Sequence, residues 1–354
     1  MDKAAVSALI DKVAHKMQHL GNETGLAEEC PISIIAMDTW EWAQGVGLYG
    51  LYKYYRETGE TRVLEFLVEW YEHNLDKGLP EKNVNTLCPM LTLSYLAEET
   101  GREDFLTLCR EWAQWVMEEM PRTKENGLQH IVSGNVNPGQ LWDDTLFMTV
   151  LFLARAGKLL GREDYLAESV RQFLVHIKYL TDRKTGLWYH GWTFEGSHHF
   201  AGALWARGNC WYTAGVVDYL DIVDDLDPGV KHYLLDTLQA QVAALEKLQH
   251  QDGMWHTLLD DPSSYVESSA TAGFSYGILK AVRLGYLDSR YLSVGYRAAQ
   301  AVISQISEDG TVQNVSYGTG MGETLEAYRS IEICPMTYGQ ALPILMLTEV
   351  MRLS

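Results

Sequence analysis

Two short phrases alternate along this chain, and their alternation limits the fold more than any other feature of the sequence. The first phrase ends one helix and begins another: Glu57-Thr58-Gly59-Glu60, Glu99-Thr100-Gly101-Arg102-Glu103-Asp104, Leu160-Gly161-Arg162-Glu163-Asp164 and Leu284-Gly285-Tyr286-Leu287-Asp288. Asp225-Leu226-Asp227-Pro228-Gly229 fills the interval between Gly161 and Gly285. Each reads as a glycine C-cap followed by acidic side chains at the positive end of the next helix. The second phrase is Asp76-Lys77-Gly78-Leu79, Glu125-Asn126-Gly127-Leu128-Gln129-His130, Lys184-Thr185-Gly186-Leu187-Trp188-Tyr189-His190, Gln251-Asp252-Gly253-Met254-Trp255-His256 and Glu308-Asp309-Gly310-Thr311-Val312. These are turns into short extended pieces. Their glycines stand 49, 59, 67 and 57 residues apart, the length of one helical hairpin with loops of unequal size.

Between the phrases, apolar residues recur at helical spacing, as in Val63, Leu64, Leu67, Trp70 and Tyr71, or Leu146, Val150, Leu153 and Ala154. The pattern predicts twelve helices in six pairs: 2–20 with 44–57, 61–75 with 86–99, 104–119 with 142–160, 164–181 with 206–224, 230–250 with 268–284, and 289–306 with 338–352. A lone hairpin cannot bury its apolar face, and six in succession can close as an all-α (α/α)6 barrel. An open solenoid is the alternative, but its repeats are shorter and more uniform. The length of 354 residues alone would allow two domains; the six hairpins make 1–354 a single barrel domain. The long loops all precede the second helix of a pair, so they gather at one end of the ring, where function is expected.

Charge narrows the partners. With 28 Lys and Arg against 47 Asp and Glu, the net charge is −19, which disfavours nucleic acid and anionic membranes. No apolar span approaches the ~18 to 20 residues of a transmembrane helix, and the first residues do not read as a secretory signal. The five cysteines, Cys30, Cys88, Cys109, Cys210 and Cys334, have no metal-ligand spacing, which points to reduced thiols in the cytoplasm. No metal, nucleotide or other cofactor motif is present; Gly318-Thr319-Gly320-Met321-Gly322 lacks the Lys and helix of a phosphate loop. The 11 Trp and 20 Tyr, against 8 Phe, suit a core or a sugar-stacking cleft.

The starts of the six inner helices are rich in groups that bind sugars. They carry Asp38 to Gly45, Asn83 to Thr86, Pro138 to Thr145, Trp205 to Trp211, Tyr265 to Thr271, and Tyr317, Met321, Tyr338 and Gln340. Asp143-Asp144, beside Trp142 at a helix start, stands out. Two such carboxylates serve equally as helix caps or, desolvated by Trp142 and Phe147, as a general acid. Glu267 is a second candidate acid. His130, His190 and His256 recur at one place in the repeat, where a turn role and a binding role are both open.

Several segments together resemble the unsaturated rhamnogalacturonyl hydrolases of glycoside hydrolase family 105, relatives of the family 88 unsaturated glucuronyl hydrolases. They are Trp40-x-Trp42-x-Gln44-Gly45-Val46, Leu141-Trp142-Asp143-Asp144-Thr145-Leu146-Phe147-Met148, Gly186-Leu187-Trp188-Tyr189-His190-Gly191-Trp192, Trp205-Ala206-Arg207-Gly208-x-x-Trp211 and Glu267-Ser268-Ser269. The resemblance spans nearly the whole chain. It implies an (α/α)6 barrel, a cytoplasmic enzyme, and no metal or redox cofactor. The substrate it implies is an oligosaccharide ending in the 4,5-unsaturated uronic acid that a polysaccharide lyase leaves behind. An aspartic acid protonates C4, water adds at C5, and the hemiketal opens and releases the remaining sugar. The family pattern Trp-x-Asp-x-Leu-aromatic-Met falls on Asp144, not Asp143. An assisting aspartate of the family corresponds to Asn85, which suggests that Asn85 hydrogen-bonds the sugar instead. By the same matching Trp40, Trp42, Gln44, His130, Trp142, Asp143, His190, Arg207 and Trp211 line the pocket, with Arg207 and the histidines facing the uronate carboxylate.

Three other readings stay in view. One is an inverting glycosidase using Asp144 and Glu267, which requires carboxyls roughly 6.5 to 9.5 Å apart. Another is a sugar 2-epimerase, which works with paired histidines on inner helices, whereas His190 and His256 fall in turns. The third is a non-catalytic helical-repeat protein. The sequence leaves a monomer and a homodimer equally open. The negative field of the chain is expected to keep Asp144 protonated, and to restrict the pocket to one terminal uronate.

Overall fold

The computed structural model describes residues 2–21 and 35–354; Met1 and Cys30 lie outside the described residues. Its long helices are α1 (Lys3–His19), α2 (Trp42–Thr58), α3 (Thr61–Lys77), α4 (Val84–Thr100), α5 (Glu103–Glu118), α6 (Leu151–Leu160), α7 (Glu163–Leu180), α8 (Ala206–Ile222), α9 (Pro228–Leu248), α10 (Ser268–Arg283) and α11 (Leu292–Ser304), with the short α12 (Leu325–Arg329) before α13 (Thr337–Leu353). The first phrase behaves as expected: Gly59, Gly101 and Gly161 close α2, α4 and α6 in the left-handed conformation.

Six helices, α2, α4, α6, α8, α10 and α13, are buried nearly all round and form the inner ring. Each packs on the next in that order, and α13 packs back on α2. The outer helices, such as α3, α5 and α7, bury one stripe and leave the opposite face to water. Small residues let the inner helices approach closely. A side chain at Gly277 of α10 would overlap the Thr213 carbonyl of α8, and one at Gly45 of α2 would overlap Cys88 and Pro89 of α4.

One predicted helix begins later than expected. The reading of 142–160 as continuous helix gives way to a strand, β1 (Gln140–Trp142), a turn, a π-helical segment at Leu146–Val150, and only then α6. The cause is β2 (Gly191–Thr193), which pairs antiparallel with β1 and sets Trp142 opposite Gly191. A second small ribbon joins β3 (Trp255–His256) to β4 (Val266–Glu267). The last outer helix starts with a single 3₁₀ turn at Ser289–Tyr291. Among the described residues no helix is long and apolar enough to cross a membrane.

The close α8–α10 contact gives a direct check on the packing. Gly277→Ala adds a methyl group with no room to accept it, and overpacking of this kind costs about 1–3 kcal/mol. The expected result is a lower denaturation midpoint at unchanged helical content; an unchanged midpoint contradicts the α8–α10 approach.

Candidate active site

At the end of the ring that holds the N-termini of the inner helices, the loops enclose a cavity of about 560 Å³, within the range of small-molecule sites. The second phrase builds its floor. Asp143 N–H donates to the His190 carbonyl at 3.1 Å, and His190 N–H donates to Ala203 at 3.0 Å. Strand pairing therefore carries Asp143 and Asp144 to His190 across 47 residues of sequence. The π-helical segment follows at once, and such irregular turns often sit at functional positions.

Three groups meet there: Asp143, Asp144 and His190, whose potential ligand atoms lie within 4.8 Å of one another. Asp143 is fully buried, with neither carboxyl oxygen hydrogen-bonded among the described residues, and a side chain at Gly208 of α8 would overlap it. Burial, reinforced by Asp144, pushes Asp143 well above the usual carboxyl range, so it holds a proton at neutral pH. Asp144 lines the cavity, and its Oδ2 faces His190 Nε2 at 3.6 Å. Burial works against the charged form of Asp144, but His190 and His130 outweigh it and hold the carboxyl below its ordinary range. In the empty site the proton expected on Asp144 thus resides on its neighbour, because Asp144 has imidazole partners and Asp143 has none. The same trio is the set of groups, among the described residues, whose atoms lie close enough to share a cation.

The histidines are fixed by their other ring nitrogen. His190 Nδ1 meets the Tyr328 hydroxyl at 2.7 Å, and His130 Nδ1 meets Thr145 Oγ1 at 2.9 Å. His130 stacks on Trp142 at 4.1 Å with 7° between the rings, and burial pushes it down to about 3, so it is neutral at physiological pH. His256, the third histidine of the repeat, bonds the Ser264 carbonyl at 2.5 Å within its own loop and does not reach the cavity.

Of the other expected site residues, Trp42, Asn85, Trp142 and Arg207 line the cavity. Trp40, Gln44 and Trp211 do not, nor do Asp143 and His190, which are buried next to Asp144. Trp40 donates to the Thr86 carbonyl and packs on Trp70, Tyr71 and Trp112; Gln44 donates to the Ala36 carbonyl; Trp211 packs on Trp42 and Phe147 beneath the floor. Phe147 itself is core, and Met148 reaches the wall in its place. Arg207 is not a free clamp. Its terminal nitrogens donate to Ser269 Oγ, to the Ser316 and Tyr317 carbonyls and to Thr319 Oγ1, while the guanidinium lies between Trp205 and Tyr338. Only its buried Nε lacks a partner among the described residues. Glu267 is spent on capping α10, accepting from Ala270 N, Ser269 N and Ser269 Oγ at 2.6 to 2.7 Å, and it stands outside the cavity lining. That removes the base required by an inverting pair.

The sequence reading named Trp205 and Met321 at the inner-helix starts without giving them a role, and it missed Glu41, Asn137, Thr319 and Glu323 as site residues; all six line the cavity. Glu41 lay inside the quoted Trp40-to-Gly45 segment. The glycine loop at 318–322, set aside as no phosphate loop, forms the rim.

Comparison with known proteins agrees with this geometry. The model of Glycosyl Hydrolase Family 88 matches residues 9–354. The Bacillus subtilis (strain 168) protein named unsaturated rhamnogalacturonyl hydrolase YesR is 34% identical over 317 residues, 88% of this chain and 90% of that protein. A solved structure described as a possible family 105 member from Klebsiella pneumoniae superposes with a TM-score of 0.95 at 46% identity, covering 99% of this chain and 94% of the other. A family 105 hydrolase from C. acetobutylicum superposes with a TM-score of 0.79 at 27% identity, covering 94% and 99% of the two chains. The chain belongs to glycosyl hydrolase family 88 and its family 105 branch, and it is a glycoside hydrolase on an (α/α)6 barrel.

The proton on Asp143 has a measurable consequence. A buried carboxyl whose folded pKa is raised contributes stability that is complete below its unfolded pKa of about 3.9 and is lost as pH rises toward the folded value. Asp143→Asn removes that loss. The variant's stability relative to wild type is expected to climb as pH rises above the unfolded value of about 3.9, by up to about 1.4 kcal/mol per pH unit, in denaturant titrations at several pH values. Parallel pH profiles would mean that Asp143 is not protonated.

Proposed function

We propose that this family 88 chain releases a 4,5-unsaturated uronic acid from the non-reducing end of lyase-generated oligosaccharides. The most favoured substrate is unsaturated galacturonyl-rhamnose, in keeping with the name of the B. subtilis relative. The observation that carries the reading is the close carboxyl pair Asp143–Asp144 with His190, of which Asp144 lines an aromatic cavity. Hydration of a vinyl ether needs a proton donor and a water, and little else from the protein.

The bound uronate brings a negative charge near Asp144, which favours the neutral form of that carboxyl. The proton then passes from Asp143 to Asp144 and on to C4. The two π electrons of the C4–C5 bond form the new C4–H bond, and the ring oxygen shares the positive charge left at C5. Water adds at C5 and gives up one proton, leaving a hemiketal. The C5–O bond of the ring opens to a ketone, and the hemiacetal at C1 expels the remaining sugar. Asn85 and the indoles of Trp42 and Trp142 hold the sugar ring, and His190 steadies the Asp144 carboxylate after transfer. The uronate carboxylate faces the Arg207 side of the wall, where the guanidinium supplies positive charge while its terminal nitrogens hold the rim loop. A cytoplasmic site of action goes with the same reading, as Cys88, Cys109, Cys210 and Cys334 are buried free thiols.

The test follows the conjugated double bond. Wild-type protein mixed with lyase-generated unsaturated disaccharides is expected to abolish their ultraviolet absorbance. Asp144→Asn should lower kcat about 10²- to 10⁴-fold with its melting transition retained. If wild type consumes no unsaturated uronide, the proposal is wrong.

A further inference from the structure

Among the described residues, three that bear carboxyls line the cavity. Asp144 has the task of proton donor and Glu323 stands on the exposed rim, but Glu41 is half-buried in the wall with no task assigned. It sits immediately before α2 in extended backbone, and its Oε2 accepts the Trp42 N–H at 3.0 Å. Among the described residues nothing hydrogen-bonds its other oxygen. One carboxylate oxygen is therefore anchored to the backbone while the other remains available to the cavity.

Its place in the ring matters. Helices α2 and α4 are neighbours held close at Gly45, and Glu41 acts electrostatically on Cys88 of α4. The first turn of α4 presents Asn85 to the cavity, and the next inner segment along carries Asp144. Glu41, Asn85 and Asp144 thus follow one another around the wall, two carboxyls separated by an amide that cannot exchange a proton. The hydration proposed above gives one proton to carbon and takes one from water, which are tasks for two groups in opposite protonation states.

We propose that Glu41 is a second catalytic carboxylate, which takes the proton of the water that adds at C5 after Asp144 has given its own proton to C4. The inference rests on the unsaturated-uronide reading. The step balances: the water oxygen bonds to C5 and its proton goes to Glu41, Asp144 returns to the carboxylate it was before substrate bound, and Asp143, which supplied the proton given to C4, regains one through Asp144 while Glu41 loses its own to solvent once product leaves. The groups facing Glu41 are the Cys88 thiol from α4 and, around the cavity, Asp144, His130, Arg207 and Glu323. Burial raises Glu41 to about 7, partly offset by the Trp42 N–H. It therefore changes protonation state within the working pH range, as a general base should.

The test is a pH series of kcat on unsaturated disaccharide. Wild type is expected to lose activity as pH falls through about 7, when Glu41 gains its proton. Glu41→Gln keeps the acceptor for Trp42 N–H and should cost about 10²-fold in kcat, with KM little changed and the acidic limb gone. Adding Asn85→Asp to that variant moves a carboxylate one place along the wall and should restore part of kcat, a rescue that a merely structural role does not predict. An E41Q enzyme with wild-type kcat and an intact acidic limb overturns the assignment. If E41Q fails to melt cooperatively, Glu41→Asp decides: its altered burial should shift the acidic limb, and a limb identical to wild type overturns the assignment too. Wild type that leaves the unsaturated sugar untouched removes the hydrolase reading and this inference together, an outcome distinct from a failure at Glu41 alone.

Discussion

Everything in this protein depends on the last inner helix meeting the first. Hairpins that only stack leave an apolar face at each end; here α13 packs against α2, and both faces are covered. The seam is tight and specific. Gly50 faces Ala341 and Ile344 without room to spare, Thr337 Oγ1 donates to the Ile35 carbonyl, and Gln340 Nε2 reaches the carbonyls of Gly310 and Val13 at 2.8 and 3.3 Å. The contacts of Thr337 with Ile35 and of Gln340 with Val13 join residues some three hundred positions apart. Closure also fixes the width of the ring, and so determines that six helix starts converge on one small space.

A closed ring has two ends, and this chain treats them differently. At the end distant from the cavity the helices carry a buried charged cluster. Lys280 Nζ bonds Asp218 at 2.6 Å, Tyr276 donates to the same carboxylate at 2.8 Å, and Lys53 lies 3.4 Å from it. Burial and the nearby Lys280 push the Lys53 ammonium down to about 8, with Asp218 opposing them. Buried charges of this kind hold one arrangement because removing any partner strands the others. At the near end the backbone N–H groups of the helix starts are satisfied by side chains such as Asn83 and Glu267. The loops beyond them leave a cavity instead of a plug, and a rigid floor with polar walls is what an oriented proton donor requires.

The ring was legible in the sequence because it is written in local terms. Glycine caps, acidic first turns and the 3.6-residue period each act within a few residues, and helix bounds inferred from them fall close to those observed. The site was legible only in part. Asp144, His130 and His190 stood out by type and by place in the repeat, and they do come together. Trp40 and Trp211 have the same chemistry as Trp42, but whether an indole faces a cavity or the core depends on the path of the chain before α2 for Trp40 and on the rotation of α8 for Trp211, which no local pattern records. The π-helical segment at Leu146–Val150 is likewise invisible beforehand, since it arises from a strand pairing with residues 191–193. Glu41 was overlooked because two tryptophans flank it, and a carboxylate before a helix has a ready explanation as a cap.

The net charge of −19 then acquires a narrower meaning. A strongly acidic protein that handles an anionic sugar must use its cavity cations sparingly, and here Arg207, the one Lys or Arg on the wall among the described residues, is largely committed to the rim loop. With Asp144 held toward its ionised form by His190 and His130, an arriving uronate adds to the negative charge of the wall. The added field favours moving a proton onto Asp144, where the chemistry needs it. Asp143, neutral and walled in by Gly208, is the nearby store from which that proton comes. Substrate charge and catalytic protonation are in this way coupled: the same carboxylate that identifies the sugar arms the acid that attacks it.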